Sequence, residues 1–400
     1  MGKLYKVFLV VAFASILIAC KSNQSKHRES GVLFCIEDSI INLDDKLILE
    51  KSLWIDSIFQ RLHKCNGFTG AVLYAERGNL VYKNGFGYGD IRNKIDISTK
   101  SAFQLASVSK MFTAMAIMIL FERNNLDYDT DIRAYIPEFP YEKITVRLLM
   151  NHRSGLGRYM SLAHNQWKNK RVPLTNEAMI QLFVKHKPIT YFSPNSGFHY
   201  CNTNYALLAN IVERISKQSF DEFVKENIFI PLKMNNSFVY NMNDDSMVSA
   251  YITKGIPSYR YKGWRPIRQR NEYLNGVMGD KGVYSSVEDL FKFDQALNHE
   301  LLVNNKILAE AFKPGSPKSR RRKDNYGFGW RIKNGMDSTV YHYGWWKGFR
   351  AFYIRDMKQE KTIIVLSNRE KGIGSSHFWN ILKNKKHDLP SVSQLTNSIR

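Results

Sequence analysis

Residues 111–120, MFTAMAIMIL, carry apolar side chains around almost the whole circumference of a helix, with Thr113 the one polar exception. A helix without a polar face cannot lie on a protein surface, so other elements must enclose it. The chain has the material for this, with 400 residues of which 44% are hydrophobic and 13% aromatic. Such a length allows two or three units, or one large domain with an inserted lobe. The entry to this helix is polar: Ser107, Ser109 and Lys110 stand at its mouth. Residues three apart share a helix face, so Ser107 and Lys110 are neighbours. The helix terminus adds backbone N–H groups and partial positive charge. A serine hydroxyl becomes a nucleophile when a base takes its proton. A lysine serves as that base when burial or nearby positive charge lowers its pKa. Ser109 is a rival nucleophile that points elsewhere. Taken alone, the pattern S-x-x-K fits equally well with Ser107 as a helix cap and Lys110 as a snorkelling first-turn residue.

The flanking patterns predict a sheet split in sequence. Residues 71–75 and 80–83 are rich in strand formers and are joined by a turn at Arg77, Gly78 and Asn79. Further strands are predicted at 326–332, 339–343, 348–355 and 361–368, with a hairpin turn at 356–360. Helical periodicity marks 176–186, 205–217 and the segment SSVEDLFKFDQAL, where Ser285 or Ser286 can cap and Glu288 or Asp289 complete a capping box. SSHFWNILKNKK suggests a terminal helix. Strands, a helical block, then strands and a helix predict an α+β fold. Its antiparallel β-sheet would be flanked by helices, with an all-helical lobe inserted over about residues 130–280. A cleft between sheet and lobe would then hold the site.

The first residues read as a targeting segment. Lys3 and Lys6 precede an apolar run over residues 7–19, shorter than the ~20 residues a spanning helix needs. Ala19 then precedes Cys20, a pairing that resembles the bacterial lipoprotein box and implies cleavage before Cys20 and lipidation of its thiol. The expected organisation is a signal at 1–19, a lipidated tether and lead-in at 20–50, one domain at 51–390 and a tail at 391–400. Export and anchoring in the bacterial cell envelope, at the outer membrane or cell surface, follow. Cys35, Cys65 and Cys201 remain, an odd number that leaves at least one thiol free, with a Cys35–Cys65 bridge open. No cysteine pair or histidine cluster has metal-site spacing, so no metal or other cofactor is expected. The formal net charge of +22 favours anionic partners such as acidic lipid or polysaccharide surfaces. Export and the lack of a recognition motif argue against nucleic acid. The densest basic runs are KSRRRK at 318–323 and YRYKGWRPIRQR at 259–270, both read as solvated loops, the second with an alternative as a cleft wall.

Two distant segments supply partners for Ser107 and Lys110. Tyr200, Cys201 and Asn202 precede a helix, and His342, Tyr343 and Gly344 end a strand. Together the three groups resemble the S-x-x-K, Y-x-N and [KH]-x-G motifs of the serine β-lactamase and penicillin-binding-protein superfamily, in the order of its class C branch and the related DD-carboxypeptidases, D-aminopeptidases and esterases. ITVRLLMNHRSGL, GDKGVYSSVEDLFKF and NYGFGW resemble further segments of that family, and the likeness covers about residues 68–368. It implies a β-lactamase/transpeptidase-like fold and a serine hydrolase that forms an acyl-enzyme on Ser107. Lys110 and Tyr200 would share the proton work. Asn202 would hold Lys110 and the substrate amide, and His342 would hydrogen-bond the proton-transfer group. Gly344 would leave room for substrate, and the N–H groups of Ser107 and Trp345 would form the oxyanion hole. The expected substrates are small cell-envelope peptides, amides or esters. The alternatives are a catalytically weak tethered binding protein, or an esterase or D-aminopeptidase without lactam activity. The third motif departs from the family pattern at Tyr343, where a small hydroxyl residue is usual, and Trp345 and Trp346 would narrow the site.

Overall fold

The computed structural model describes residues 45–242, 245–317, 324–336, 338–370, 374–384 and 388–389. Cys20 with its lipidation, Cys35 with its bridge to Cys65, and the basic run 318–323 lie outside the described residues. The described residues fall in one compact unit, Asn42–Arg400. Cys65 is exposed and Cys201 buried, and neither is in a disulfide among the described residues.

The chain enters with helix α1 (Asp45–Asn66), followed by strands β1 (Gly70–Glu76) and β2 (Asn79–Phe86). Helix α2 (Lys110–Glu122) carries the apolar run, α3 (Asn176–His186) and α4 (Asn202–Ser216) belong to the lobe, and α5 (Val287–Asn298) leads back toward the sheet. Strands β3 (Asp324–Tyr326), β4 (Arg331–Lys333), β5 (Thr339–Trp346), β6 (Phe349–Asp356) and β7 (Lys361–Ser367) follow, then helix α6 (Ser376–Lys383). The seven strands form one sheet in the order β3-β4-β5-β6-β7-β1-β2. Every pairing is antiparallel, and β1 closes on β7 with Val72 opposite Val365. The split sheet expected from the sequence is therefore present.

Strand alternation sorts the side chains into two layers. Val72, Tyr74, Phe352, Ile354 and Val365 face Ile55 and Phe59 of α1 and Phe378 and Ile381 of α6. Leu73, Ala351, Tyr353 and Ile364 face the other way, into the core shared with α2 and the lobe. Residues 110–120 of α2 are all buried there, as a helix without a polar face requires. Each fully buried Leu, Ile or Phe is worth about 1.5–3 kcal/mol, which makes α2 the anchor of the fold. Asp294 ties α5 to the sheet by accepting from Tyr353 Oη at 2.9 Å and Thr362 Oγ1 at 3.0 Å. Ser286 caps α5, its Oγ accepting from Asp289 N–H at 3.1 Å.

Four expectations need correction. Residues 326–332 are not one strand, because the chain leaves β3 and turns over α2 before β4 begins. Gly329, at φ +79°, passes so close to α2 that a Cβ there would lie 2.9 Å from the Lys110 carbonyl oxygen. The helix expected at 205–217 begins three residues earlier, with Cys201 in the extended N-cap position and Asn202 inside the first turn. The domain begins before residue 51, since α1 starts at Asp45 and Lys51, fully buried, pairs with Glu76 of β1. The segment 259–270 is not a loop but a separate antiparallel hairpin, Tyr259–Lys262 with Arg265–Arg268. Among the described residues no helix is long and apolar enough to cross a membrane.

Candidate active site

Ser107 sits in a single 3-10 turn, Ala106–Ser109, that runs straight into α2. Two interactions fix this turn against residues 279–285: Leu105 N–H donates to the Val283 carbonyl at 2.8 Å, and Ser109 Oγ accepts from Val283 N–H at 3.1 Å. Ser109 is thereby fully buried and spent on the scaffold, which leaves Ser107 as the available hydroxyl. Ala106 is held at φ +49°, a region an alanine rarely adopts. Strain of this kind persists only where the surroundings enforce it. Here the enforcing element is β5, whose Gly344 lies against Leu105 and Ala106.

Lys110 is fully buried, and its ammonium has three neighbours. Nζ lies 3.1 Å from Ser107 Oγ, 2.9 Å from Asn202 Oδ1 and 2.7 Å from the Asp280 carbonyl oxygen. It also stands 5.1 Å from the ring centroid of Tyr200 and 5.6 Å from that of Tyr205, so aromatic faces close the remaining directions. The arrangement has a consequence for proton transfer. With two N–H groups given to Asn202 and Asp280, the third tetrahedral position of Nζ points at Ser107. That position can donate as an ammonium or accept as an amine. Tyr200 Oη is buried and has no hydrogen-bond partner among the described residues, so its phenol oxygen remains open.

The segment bearing Tyr200 and Asn202 is fastened by a residue given no role in the sequence reading. His152, fully buried at φ +57°, accepts at Nδ1 from Cys201 N–H and from Asn204 Nδ2, each at 3.2 Å. Its carbonyl accepts from His199 N–H at 3.0 Å, and its ring lies 4.4 Å from that of Tyr200. The signal was present as the His of MNHRSGL, but a buried His on the sequence alone reads as packing.

His342 does not take the place expected for it. It is buried on the site-facing side of β5, but Nε2 lies 3.0 Å from Tyr326 Oη and Nδ1 lies 2.8 Å from the Tyr343 carbonyl. With Nδ1–H given to that carbonyl, Nε2 accepts from Tyr326, so neither nitrogen is left for Lys110 or Tyr200. Burial, with Arg331 and Lys110 nearby, holds its pKa well below the ordinary histidine value of 6.5. Burial and Lys110 do the same to His152. Tyr343 and Trp345 are also corrected. Alternation turns Tyr343 to the far face, where its hydroxyl accepts from Trp379 Nε1 at 2.7 Å, so it neither binds in nor blocks the cleft. Trp345 shares that side and is 61% exposed. Only Trp346 faces the site layer, with Lys281 Nζ 5.3 Å from its ring.

A buried charged group underlies the Lys110 contact. Lys281 Nζ donates to Tyr159 Oη at 2.8 Å and to Asp280 Oδ1 at 3.2 Å, and Tyr159 Oη donates to Asp280 Oδ2 at 3.1 Å. Tyr159 N–H in turn donates to Thr203 Oγ1 at 2.8 Å, at the start of α4. The loop whose carbonyl receives Lys110 is thus tied to the helix that carries Asn202.

The two neutral histidines predict acid sensitivity. Below pH 6.5 the unfolded chain takes up protons at both that the native state refuses, so stability falls as pH falls, by up to about 1.4 kcal/mol per pH unit for each. Glu213, pushed up to about 7 by burial, acts in the opposite sense over the same window and offsets one of them. These three groups together give a loss of up to about 1.4 kcal/mol per unit between pH 6.5 and 5, and His199, which burial also holds below the ordinary histidine value, adds to it. Urea midpoints measured across that range test this, and His342→Gln should flatten the slope. A steeper slope in the variant would reverse the assignment.

A serine one turn before a buried lysine, at the junction of an antiparallel sheet and a helical lobe, defines a serine hydrolase of the β-lactamase and penicillin-binding-protein type. The chain belongs to the Beta-lactamase family, whose model matches residues 55–386. It is similar to penicillin-binding protein 4* of Bacillus subtilis, at 35% identity over 344 residues, or 84% of this chain and 75% of that one. Its fold is similar to that of the octameric penicillin-binding protein homologue from Pyrococcus abyssi, with a TM-score of 0.71 at 24% identity over 85% of this chain and 79% of the other. FmtA from Staphylococcus aureus gives 0.69 at 20% identity, covering 85% of this chain and 90% of the other.

Proposed function

We propose that this serine hydrolase opens carbonyl substrates of the cell envelope, whether peptide, amide or ester, through an acyl-enzyme on Ser107. The observation that carries the reading is the position of Lys110 Nζ, 3.1 Å from Ser107 Oγ and held by two other acceptors. Ser107 Oγ attacks the carbonyl carbon. Its proton passes to Lys110 or to the open oxygen of Tyr200, and from there to the leaving group. Water then releases the acyl group by the same path in reverse.

The geometry of β5 supports an oxyanion hole. Lys347 at φ +45° and Gly348 at φ +90° form the tight turn between β5 and β6. Such a turn makes Trp346 and Phe349 the closing hydrogen-bonded pair, so alternation leaves Trp345 with its N–H turned away from β6. On that side β4 pairs only with Val340 and Tyr341, so the edge beyond is open to an added substrate strand. The N–H groups of Ser107 and Trp345 then receive the developing oxyanion, and each such donor is worth about 3 kcal/mol. In this reading Cys20 carries the lipid that holds the domain at the envelope.

The test uses the chain without residues 1–20, treated separately with a fluorophosphonate and a fluorescent penicillin. A single fluorophosphonate adduct on the peptide carrying Ser107 is the expected result. An adduct at Ser109, or none, would overturn it. Penicillin labelling at the same residue would place the chain with lactam-recognising relatives, and fluorophosphonate labelling alone would favour esterase or aminopeptidase chemistry.

A further inference from the structure

The hairpin over 259–268 has no part in the chemistry above, yet its composition is unusual for a surface ribbon. Its register sets Tyr259 opposite Arg268, Arg260 opposite Ile267, Tyr261 opposite Pro266 and Lys262 opposite Arg265. Residues directly opposite share a face, so the two faces differ in character. Tyr259 and Tyr261 turn toward the body of the protein: Tyr259 Oη accepts from Ile91 N–H at 3.0 Å, and the Arg369 guanidinium lies 4.0 Å from the Tyr261 ring. Arg260, Lys262, Arg265 and Ile267 share the other face, and the three cations are exposed.

Lys262 and Arg265 are like charges set directly across from one another, which costs stability in an isolated ribbon. Among the described residues no carboxylate forms an ion pair with either of them or with Arg260. Between them the turn carries Gly263, around which a Cβ would meet nothing within 4 Å, and Trp264, whose side chain is 98% exposed. The largest side chain of the ribbon thus stands at its tip in solvent, between the like charges of Lys262 and Arg265. The base, by contrast, is held firmly. Tyr259 N–H donates to the Asn368 carbonyl at 2.8 Å at the end of β7, Gln269 N–H donates to the Ser258 carbonyl at 2.9 Å, and Ser258 Oγ donates to the Lys347 carbonyl in the β5–β6 turn.

We propose that this hairpin is a membrane-docking element that seats Trp264 among the headgroups of a bilayer bearing anionic lipid, with Arg260, Lys262 and Arg265 against the phosphates. An indole with a polar N–H edge prefers the interfacial depth of a bilayer, and cations beside it gain from the negative surface potential. One occupant relieves both the repulsion between Lys262 and Arg265 and the exposure of Trp264. An anionic polysaccharide answers the charge but leaves the indole in water, so the lipid surface fits better. Because the base of the hairpin is bonded to the β5–β6 turn, docking brings the substrate-binding edge of β5 close to that surface. The proposal rests on the ribbon alone and stands apart from the catalytic reading.

The experiment is sedimentation with vesicles, using the chain without residues 1–20, which lie outside the compact unit Asn42–Arg400. The vesicles are phosphatidylglycerol with phosphatidylethanolamine, or phosphatidylcholine alone. Binding to the anionic vesicles is expected, weakening with salt, with little to the zwitterionic ones. Trp264→Ala should lower the partition coefficient about tenfold, from lost apolar burial. The triple change Arg260→Gln, Lys262→Gln, Arg265→Gln should lower it about a hundredfold, at about fivefold per cation. Fluorophosphonate labelling of all variants should match the parent, which shows that they are folded. No binding to anionic vesicles, or binding that both variants retain, overturns the proposal. So does retained binding to a soluble anionic polysaccharide with none to vesicles, which would make the ribbon a glycan contact.

Discussion

Lys110→Met is expected to lower the rate of Ser107 acylation by about 10³–10⁴-fold, at the upper end of what one proton-transfer group contributes. Two losses combine. The methionine removes the only cation within 3.1 Å of Ser107 Oγ that the described residues provide, and it abandons Asn202 Oδ1 and the Asp280 carbonyl as buried acceptors. Each stranded acceptor costs about 1–3 kcal/mol, so thermal stability should fall as well. Thioether volume close to that of the lysine stem keeps the packing against Tyr200 and Tyr205 and limits the collapse. The measurement is the single-turnover rate of fluorophosphonate labelling, read beside a thermal melt. Ser107→Ala should lose labelling completely, and the double variant should lose no more activity than Ser107→Ala alone, since groups that act as a unit do not add. A folded Lys110→Met protein that labels at the parent rate would remove Lys110 from the proton path and leave Tyr200 to act alone.

That prediction could be framed from the sequence because Ser107 and Lys110 are near neighbours on a helix, a local relation that spacing reports. Asn202 was legible for the same kind of reason, through a motif at the head of α4. The fold was legible where the physics is repetitive: period-two strands around a turn, and a helix apolar on every face. What was not legible is long-range. The Asp280 carbonyl that receives Lys110 is a backbone atom 170 residues away, and backbone atoms leave no trace in residue identity. His342 and Tyr326 satisfy each other across a turn that was read as continuous strand, so the histidine was assigned to the wrong partner. Tyr343 was read as a substitution inside the site, although strand alternation in the antiparallel sheet sends it to α6. Its neighbour Trp345 follows it, and of the two tryptophans only Trp346 turns toward the layer that holds the site. The basic segment 259–270 shows the limit of charge as a signal, because composition marked it as cationic without telling which residues share a face.

Gly344→Ala is expected to lower acylation by about 10²–10³-fold, the cost of spoiling one oxyanion donor, while the protein still folds. A Cβ at this position would lie 2.1 Å from the Leu105 carbonyl oxygen and 3.1 Å from Ala106 Cβ. The nearest atom is backbone, so no side chain can swing aside, and either β5 or the turn before Ser107 must shift. Forced overpacking of this kind costs about 1–3 kcal/mol, small enough for a sheet of seven strands to survive. The geometric cost is larger than the energetic one. Trp345 N–H is on β5 and Ser107 N–H is on the turn, so any shift that relieves the clash widens the gap between the two proposed donors. The strained Ala106, held at φ +49° by this same contact, would relax and carry Ser107 with it. Tyr343→Phe is the control on the neighbouring residue. It removes the bond from Trp379 Nε1 on the far face, which should cost about 1 kcal/mol and leave acylation unchanged. Melting curves and single-turnover labelling of both variants separate the two effects. Equal losses of activity in the two would mean that β5 acts only as a packing element. A Gly344→Ala protein that labels as fast as the parent would show that the oxyanion is received elsewhere than between β5 and the turn bearing Ser107.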